Sequence, residues 1–477
     1  MENKPKDSTK ELFPLLMSSI EKFHWYDSRP NYPNFIFGRL EFTKRIDPSL
    51  AETAWKLALD RQPLAGVQPV KIKRRWYWKP SVDDKVVGNG SAKGSFNYQE
   101  SASSPDPWCF EECESQLTIS SHLEIRVRGA EASPSDTCGA PAGCLTSVCF
   151  AVHHAISDGA GAILVVNEWL AIYSNLEAGR AATAGLQRLE PERLRGRNHL
   201  GILRWSYLKH LFKQPVALFG ATKFLFRNSV DLSAPKDAAE GMARLYPAIV
   251  GRWVDADAVR GLNRESCRLG VTLNSIMLGR LFESLTKFLA RDGVSCRRDW
   301  VRVILPISIR GMSDRRMPAT NRTTIVQLDR RLDEKALSDD FYSNLDREIR
   351  IIRGWQLDKI FLICIRLLSI VDPVLRHIVG SRKSRGTVVF TNLGEPFRKL
   401  IKSQSHRAEF SGSAMHQFDL VGPVREGTPL NYTVARHGER IRVSLHYDAG
   451  VFSSNRAGDL LESYVSELLR DPLCSVD

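Results

Sequence analysis

The residues best suited to chemistry in this 477-residue chain are His153-His154-Ala155-Ile156-Ser157-Asp158-Gly159, a run of the form HHxxxDG. With 11 His and 32 Gly in the chain, the pattern arises by chance about once in a thousand such sequences, so it reads as a motif. Imidazole, with an unperturbed pKa of about 6.5, suits a general base near neutrality. If a strand runs through the pair, the two rings point to opposite faces, so one reaches a substrate while the other packs or bonds locally. Other chemistries lack their companions. A zinc site on His154 and Asp158 has no HExxH or CxxC to complete it, and a serine triad has no GxSxG elbow.

The elements that must position this run are legible around it. Leu145 to Val152, LTSVCFAV, has the length and apolarity of a strand covered on both faces. After Gly159-Ala160-Gly161, the residues Ile163, Val166, Leu170 and Tyr173 recur at helical spacing, predicting a helix that ends near Gly179. Strand, polar turn, helix leaves turn side chains at the carboxyl end of a strand, where open α/β sheets place their sites. Upstream, Asp47-Pro48 signals a helix start that Pro63 stops, and Val70 to Tyr77 reads as a short basic strand. Leu123, Ile125 and Val127 alternate with Glu124, Arg126 and Arg128 as in a half-buried strand, while 87–107 and 129–143 read as exposed loops.

Downstream, Asp255 and Thr272 cap two helices, the second stopped by Gly293. Val301 to Ile309 alternates into a strand ending at Arg310, with further strands at 386–392 and 430–436. A His437-Gly438 turn predicts a hairpin to Ile441–Tyr447, and Leu460, Leu461, Tyr464 and Leu468 predict a last helix. Strands and helices mixed in both halves predict an α/β (α+β mixed) fold. It is read as two lobes, 1–190 and 247–477, joined by a connecting segment at 191–246.

Composition narrows the class. Hydrophobic residues at 43% and charged residues at 25% exclude a disordered or fibrous chain. The opening MENKPKDSTK lacks the apolar core of a signal peptide, and nine Cys without paired spacing read as free thiols, so a cytoplasmic location is expected. The most apolar stretch, 360–379, is broken by Arg366, Asp372, Pro373 and Arg376 and is not expected to span a membrane. The net charge is +13, and Arg193 to Arg227 holds eight Lys or Arg and no acid, interleaved with Trp, Tyr, Phe and Leu. That segment reads either as a solvated basic face or as a peripheral anchor on anionic lipid. No recognised nucleic-acid module accompanies it, so no nucleic-acid partner is expected.

HHxxxDG after an apolar strand, before a Gly/Ala-rich helix start, resembles the CoA-dependent acyltransferase superfamily. That group includes chloramphenicol acetyltransferase, peptide-synthetase condensation domains, plant BAHD enzymes and wax-ester/diacylglycerol acyltransferases. The likeness covers most of the chain: FHWYDSRPNYPNFIFGRLEF with the following helix, LPISIR ending at Arg310 with Asn321-Arg322, TNLG at 391–394, and LNYTVARHGERIRVSLHYDAG with the final helix. The DFGWG motif of the plant branch is absent; His416 to Gly422 occupies a comparable position.

The resemblance implies two chloramphenicol-acetyltransferase-like lobes with a tunnel between them. His154 would be the general base, and Asp158 would hold the loop by pairing with an arginine, for which Arg310 is the candidate. Gly159 would leave room for a pantetheine arm, with His153, Asn321 and Asn392 as structural or tunnel residues. No metal or resident cofactor is expected, acyl-CoA or acyl-phosphopantetheine serving as co-substrate. The acceptor would be a small-molecule or lipid alcohol or amine, and an acyl carrier protein is a conceivable partner. The alternative is a catalytically silent scaffold of the same shape that binds a membrane surface or partner.

Overall fold

The computed structural model describes residues 12–81, 94–101, 121–128, 146–199, 227–232, 246–293, 300–331, 339–381, 386–400 and 409–470. Most of the basic-aromatic run at 193–227 therefore lies outside the described residues, as does much of the connecting segment at 191–246.

The chain begins with β1 (Leu15–Leu16) and α1 (Ser19–Asp27), the latter started by a Ser18–Glu21 capping box. β2 (Phe35–Phe42) is followed by α2 (Pro48–Arg61), where Asp47 Oδ1 accepts the Leu50 amide at 2.8 Å and proline fills the first helical position. The single basic strand expected at 70–77 is two, β3 (Val67–Ile72) and β4 (Arg75–Pro80), paired antiparallel across a turn at Lys73-Arg74. Part of the loop expected at 87–107 is a strand too, β5 (Ser95–Ser101), running parallel to β6 (Ser121–Arg128). β7 (Thr146–His153) and α3 (Gly159–Glu177) bracket the motif.

In the second half come β8 (Ala248–Val254), α4 (Ala256–Leu269), α5 (Leu273–Arg291), β9 (Val301–Ser308) and β10 (Thr323–Arg330). They are followed by α6 (Asp339–Gly354), α7 (Lys359–Leu368), α8 (Asp372–Val379) and β11 (Val388–Asn392). β12 (Glu409–Phe410), β13 (Ser413–Val421), β14 (Leu430–His437), β15 (Arg440–Tyr447) and α9 (Ser454–Leu469) close the described chain. The expected β14–β15 hairpin forms, its turn at Gly438-Glu439 one residue later than the His437-Gly438 expected, with Gly438 at φ +60°, a left-handed backbone that favours glycine. The apolar stretch at 360–379 is two helices, α7 and α8, and among the described residues no helix is long and apolar enough to cross a membrane.

Two six-stranded mixed sheets form the lobes, ordered β12-β13-β2-β7-β6-β5 and β10-β9-β11-β14-β15-β8. In the first, the Ile36, Leu40 and Val148 side of the sheet joins Trp55 of α2 and Val165 and Trp169 of α3 in one core. In the second, Ile276, Phe282 and Leu285 of α5 and Leu460 and Tyr464 of α9 pack on Val303, Phe390, Tyr432 and Leu445. The division at 247 is not a clean one: β12 and β13, far into the second half, hydrogen-bond into the first sheet, β13 running antiparallel to β2. β6 is also more deeply covered than its alternation predicts: Glu124 is buried, paired at 2.6 Å with Arg126, two residues on along the same face, which is half-buried.

The polar positions of β2 and β13 turn towards the other lobe. Asp419 of β13, 1% exposed, accepts Arg442 Nε at 2.8 Å and Ser444 Oγ at 2.8 Å from β15, and lies 3.4 Å from Arg39 of β2. Burial alone would raise its pKa, yet Arg442 and Arg39 hold it below the usual carboxylate range. This buried charge cluster is where the first sheet and the β14–β15 hairpin meet, and it occupies the stretch comparable to the absent DFGWG.

Candidate active site

β7 pairs with β2 so that Phe35 faces His153, and the strand ends there because the chain turns: the Ile156 amide donates to the His153 carbonyl at 3.0 Å. His153, 2% exposed, accepts the Ala155 amide on Nδ1 at 3.0 Å and reaches Ser28 Oγ with Nε2 at 3.2 Å, so both ring nitrogens are occupied. His154 points elsewhere. Its ring lines a cavity of about 390 Å³ and stacks on His24 of α1, centroids 3.9 Å apart and planes 9° from parallel. Its backbone is pinned by Asn34, whose carbonyl accepts the His154 amide at 2.7 Å, and by Asn321, whose Nδ2 donates to the His154 and Ala155 carbonyls at 2.6 and 3.2 Å.

Asp158 caps α3, its Oδ1 accepting the Gly161 amide at 2.9 Å. Arg310, just past β9, grips it with two hydrogen bonds of 2.7 Å, one to each carboxylate oxygen. The Arg322 amide (2.7 Å) and Thr323 Oγ1 (2.8 Å) add two more on Oδ2. Five donors thus surround a carboxylate that is 1% exposed, which leaves it no free lone pair for a metal. Burial pushes its pKa up, but Arg310 and the donated bonds outweigh that and keep it ionised below the ordinary range. Among the described residues no group of three His, Cys, Asp or Glu could hold a metal ion.

Gly159 opens α3 at the cavity wall, where an added Cβ would come within 3.2 Å of Leu393 alone. The tighter glycine is Gly161, whose Cβ would fall 2.1 Å from Ser157 Oγ and 3.2 Å from the Thr320 amide. Asn392, at the end of β11, is exposed at the rim; its Oδ1 accepts the Gly394 amide and its Nδ2 donates to Asn274 Oδ1, both at 2.9 Å. The fold thus gathers His154, Asp158, Gly159, Arg310 and Asn321 at one junction between the sheets. His153 backs the loop, and Asn392 sits at the cavity edge.

Sequence reasoning missed His24, Asn34 and Thr323. Only His24 carries a chemical hint of its own, and its stack on His154 depends on how α1 docks. Desolvation draws the His24 pKa well below 6.5, and repulsion from His154 and then His153 draws it further. Desolvation also lowers His154, partly offset by its own backbone, Asp158, Asn321 and Asp27. A neutral imidazole at pH 7 follows, and the acidic limb of a pH–rate profile should lie below 6.5. Measuring kcat/KM from pH 5 to 9 checks this, and a limb centred above pH 7 would contradict it.

No family model and no curated protein sequence matches the chain. Solved structures do match along nearly its whole length. The first condensation domain of the calcium-dependent antibiotic synthetase, in complex with a substrate analogue, superposes with a TM-score of 0.63 at 15% identity over 95% of each chain. A variant of the starter condensation domain of rhizomide synthetase, in complex with C8-CoA, gives 0.61 at 12% identity over 99% of this chain and 100% of that one. Polyketide synthase associated protein 5 from Mycobacterium tuberculosis gives 0.59 at 13% over 95% and 97%. The chain therefore has the two-lobed fold of these condensation domains.

Proposed function

We propose that this protein is an acyltransferase that moves an acyl group from a thioester, acyl-CoA or acyl-phosphopantetheine on a carrier protein, to an alcohol or amine. The observation that carries the reading is the His154 imidazole, held neutral in an otherwise mainly apolar cavity with walls from both lobes: Ile36 and Phe150 on one side, Ile304 and Val389 on the other. That arrangement gives a reactive thioester a largely apolar surrounding with the His154 imidazole, stacked on His24, beside it. The C8-CoA bound by a structural neighbour supports a CoA thioester as donor.

In the proposed reaction the acceptor O–H or N–H gives its proton to His154 as the heteroatom bonds to the thioester carbon. The tetrahedral oxyanion then collapses, the C–S bond breaks, and the imidazolium returns the proton to the leaving thiolate. His154 Nδ1 and Asn321 Oδ1 are both buried without a hydrogen-bond partner. An Nδ1–H bond donated to Asn321 Oδ1 would fix the tautomer that leaves Nε2 as the base. Thr433 lines the same cavity with its buried hydroxyl unpartnered, a donor available to the oxyanion. Asp158 and Arg310 act as positioning residues.

The test is to incubate the full-length protein with a panel of acyl-CoAs and acyl carrier-protein thioesters and a mixed pool of alcohols and amines. Mass spectrometry should find an ester or amide together with free thiol. Absence of transfer across all donors would overturn the proposal.

A further inference from the structure

Nine large hydrophobic side chains are exposed among the described residues, and six of them, Ile351, Trp355, Leu367, Ile370, Val371 and Val374, fall within one stretch of 24 residues. Scattered single apolar residues are ordinary on a protein surface, whereas Leu367, Ile370, Val371 and Val374, exposed at one helix–helix connection, form a concentration of the kind that marks an interaction site. Its centre is the α7–α8 connection. Ile370 is 77% exposed and Leu367 61%. Leu367 lies in the last turn of α7, Ile370 and Val371 in the connection, and Val374 in the first turn of α8, so the four sit where the two helices join.

The inner face of the same unit is well anchored. Leu362 and Ile365 of α7 and Leu375 and Val379 of α8 form a buried cluster with Ile20 and Phe23 of α1. Lys22 pairs with Asp372 at 3.0 Å, Tyr26 bonds the same carboxylate, and Ser19 Oγ meets Ser369 Oγ at 2.8 Å. The outward patch is therefore a fixed feature of a docked helix pair, not a strand of core waiting to fold inward.

Charge around the patch selects its partner. From Ile351 to Gly380 there are four basic residues, Arg353, Lys359, Arg366 and Arg376, and two acids. Arg353, Arg366 and Arg376 are exposed, whereas Asp358 is buried and Asp372 is turned to α1. The α7–α8 face thus shows water an apolar ridge with two exposed arginines, Arg366 and Arg376, while its partly exposed carboxylate, Asp372, is paired with Lys22. We propose that the α7–α8 face is an interfacial docking surface for an anionic lipid bilayer, the apolar ridge entering the headgroup boundary and the arginines meeting lipid phosphates. It does not depend on the reaction in the cavity. Phe23, on the helix this face clamps, lines that cavity one layer beneath, so a docked molecule holds its cavity close to the membrane.

The experiment is co-sedimentation of the full-length protein with phosphatidylcholine vesicles and with mixed phosphatidylcholine–phosphatidylglycerol vesicles, at low and high salt. Wild type should bind the anionic vesicles, bind neutral ones weakly, and be partly released by salt. Ile370→Glu with Val371→Glu should weaken partitioning at least ~tenfold, and Arg366→Gln with Arg376→Gln roughly twenty-five-fold, at about fivefold per charge. Undiminished binding of the Glu pair would overturn the proposal and assign attachment to another surface, with 193–227 the first to examine. Wild-type indifference to anionic vesicles would overturn it as well. So would self-association that the Glu pair abolishes without any vesicle binding, since a second copy would then be the occupant. Should the Glu pair fail to fold, the exposed Arg pair decides alone: wild-type binding by that variant overturns the proposal.

Discussion

Changing His154 to Ala should lower kcat/KM for acyl transfer at least ~hundredfold, the usual scale of a positioned general base, while leaving the melting temperature close to that of wild type. The ring is half-buried and makes one stacking contact, with His24, and an aromatic pair of that kind contributes only about 0.5–1.5 kcal/mol. His153→Ala should behave in the opposite way. It removes the acceptor for the Ala155 amide and the partner of Ser28, so a stability loss should accompany a smaller kinetic one. Rates and melting curves of the two variants, measured side by side, separate the roles. Equal kinetic loss in both would contradict the assignment.

Asp158→Asn should lower stability and activity together. An amide can still accept from the Gly161 amide or from Arg310, but its nitrogen cannot accept from the Arg322 amide and Thr323 as Oδ2 does. Arg310 would remain without its counter-charge in a largely buried position. Breaking one side of a buried pair costs about 3–5 kcal/mol; with the Arg310 side chain 27% exposed, the lower end applies, a fall of roughly 5–10 °C in the melting temperature of the lobe. Because the folded Asp158 pKa is depressed, its contribution is complete above the unfolded value of about 3.9 and is lost as pH falls through the lower folded one. The gap between wild type and Asp158→Asn should thus be constant at neutral pH and close only in strong acid. Loss of activity at an unchanged melting temperature would instead make Asp158 a direct participant.

The motif and its immediate frame were legible in the sequence because their signals are local. β7 is a short apolar run, α3 repeats at three and four residues, and Asp158 carries both a motif position and an N-cap. The Arg310 contact spans 152 positions, and it was nameable only through a family resemblance. Contacts that neither period nor motif encodes stayed hidden. His24 meets His154 because α1 is clamped between α7, α8 and the motif loop, and no spacing records that packing. β5 was masked by the Gly and Ser flanking it, and β3–β4 was merged into one strand because Lys73 is not a usual turn residue, although it takes φ +55°. The pairing of β13 with β2 was the hardest to read, since each strand alone looks like a member of its own half.

That last pairing has a consequence for how the protein is made. β2 ends up between β7 and β13, and its residues Phe35, Phe37, Leu40 and Phe42 are essentially fully buried. A ribosome delivers β2 long before β13: at about 5–20 residues per second, the wait from residue 42 to residue 421 is roughly 20–75 s. Throughout that interval the nascent first lobe has an open, aromatic-rich sheet edge, the feature that templates aggregation. The same dependence means that a gene fragment ending before β13 encodes a first lobe with a permanent sticky edge and the Arg39–Glu41 pair without Asp419. Yield of soluble product should thus be governed less by the stability of the finished molecule than by whether a chaperone covers β2 until its partner strand leaves the ribosome.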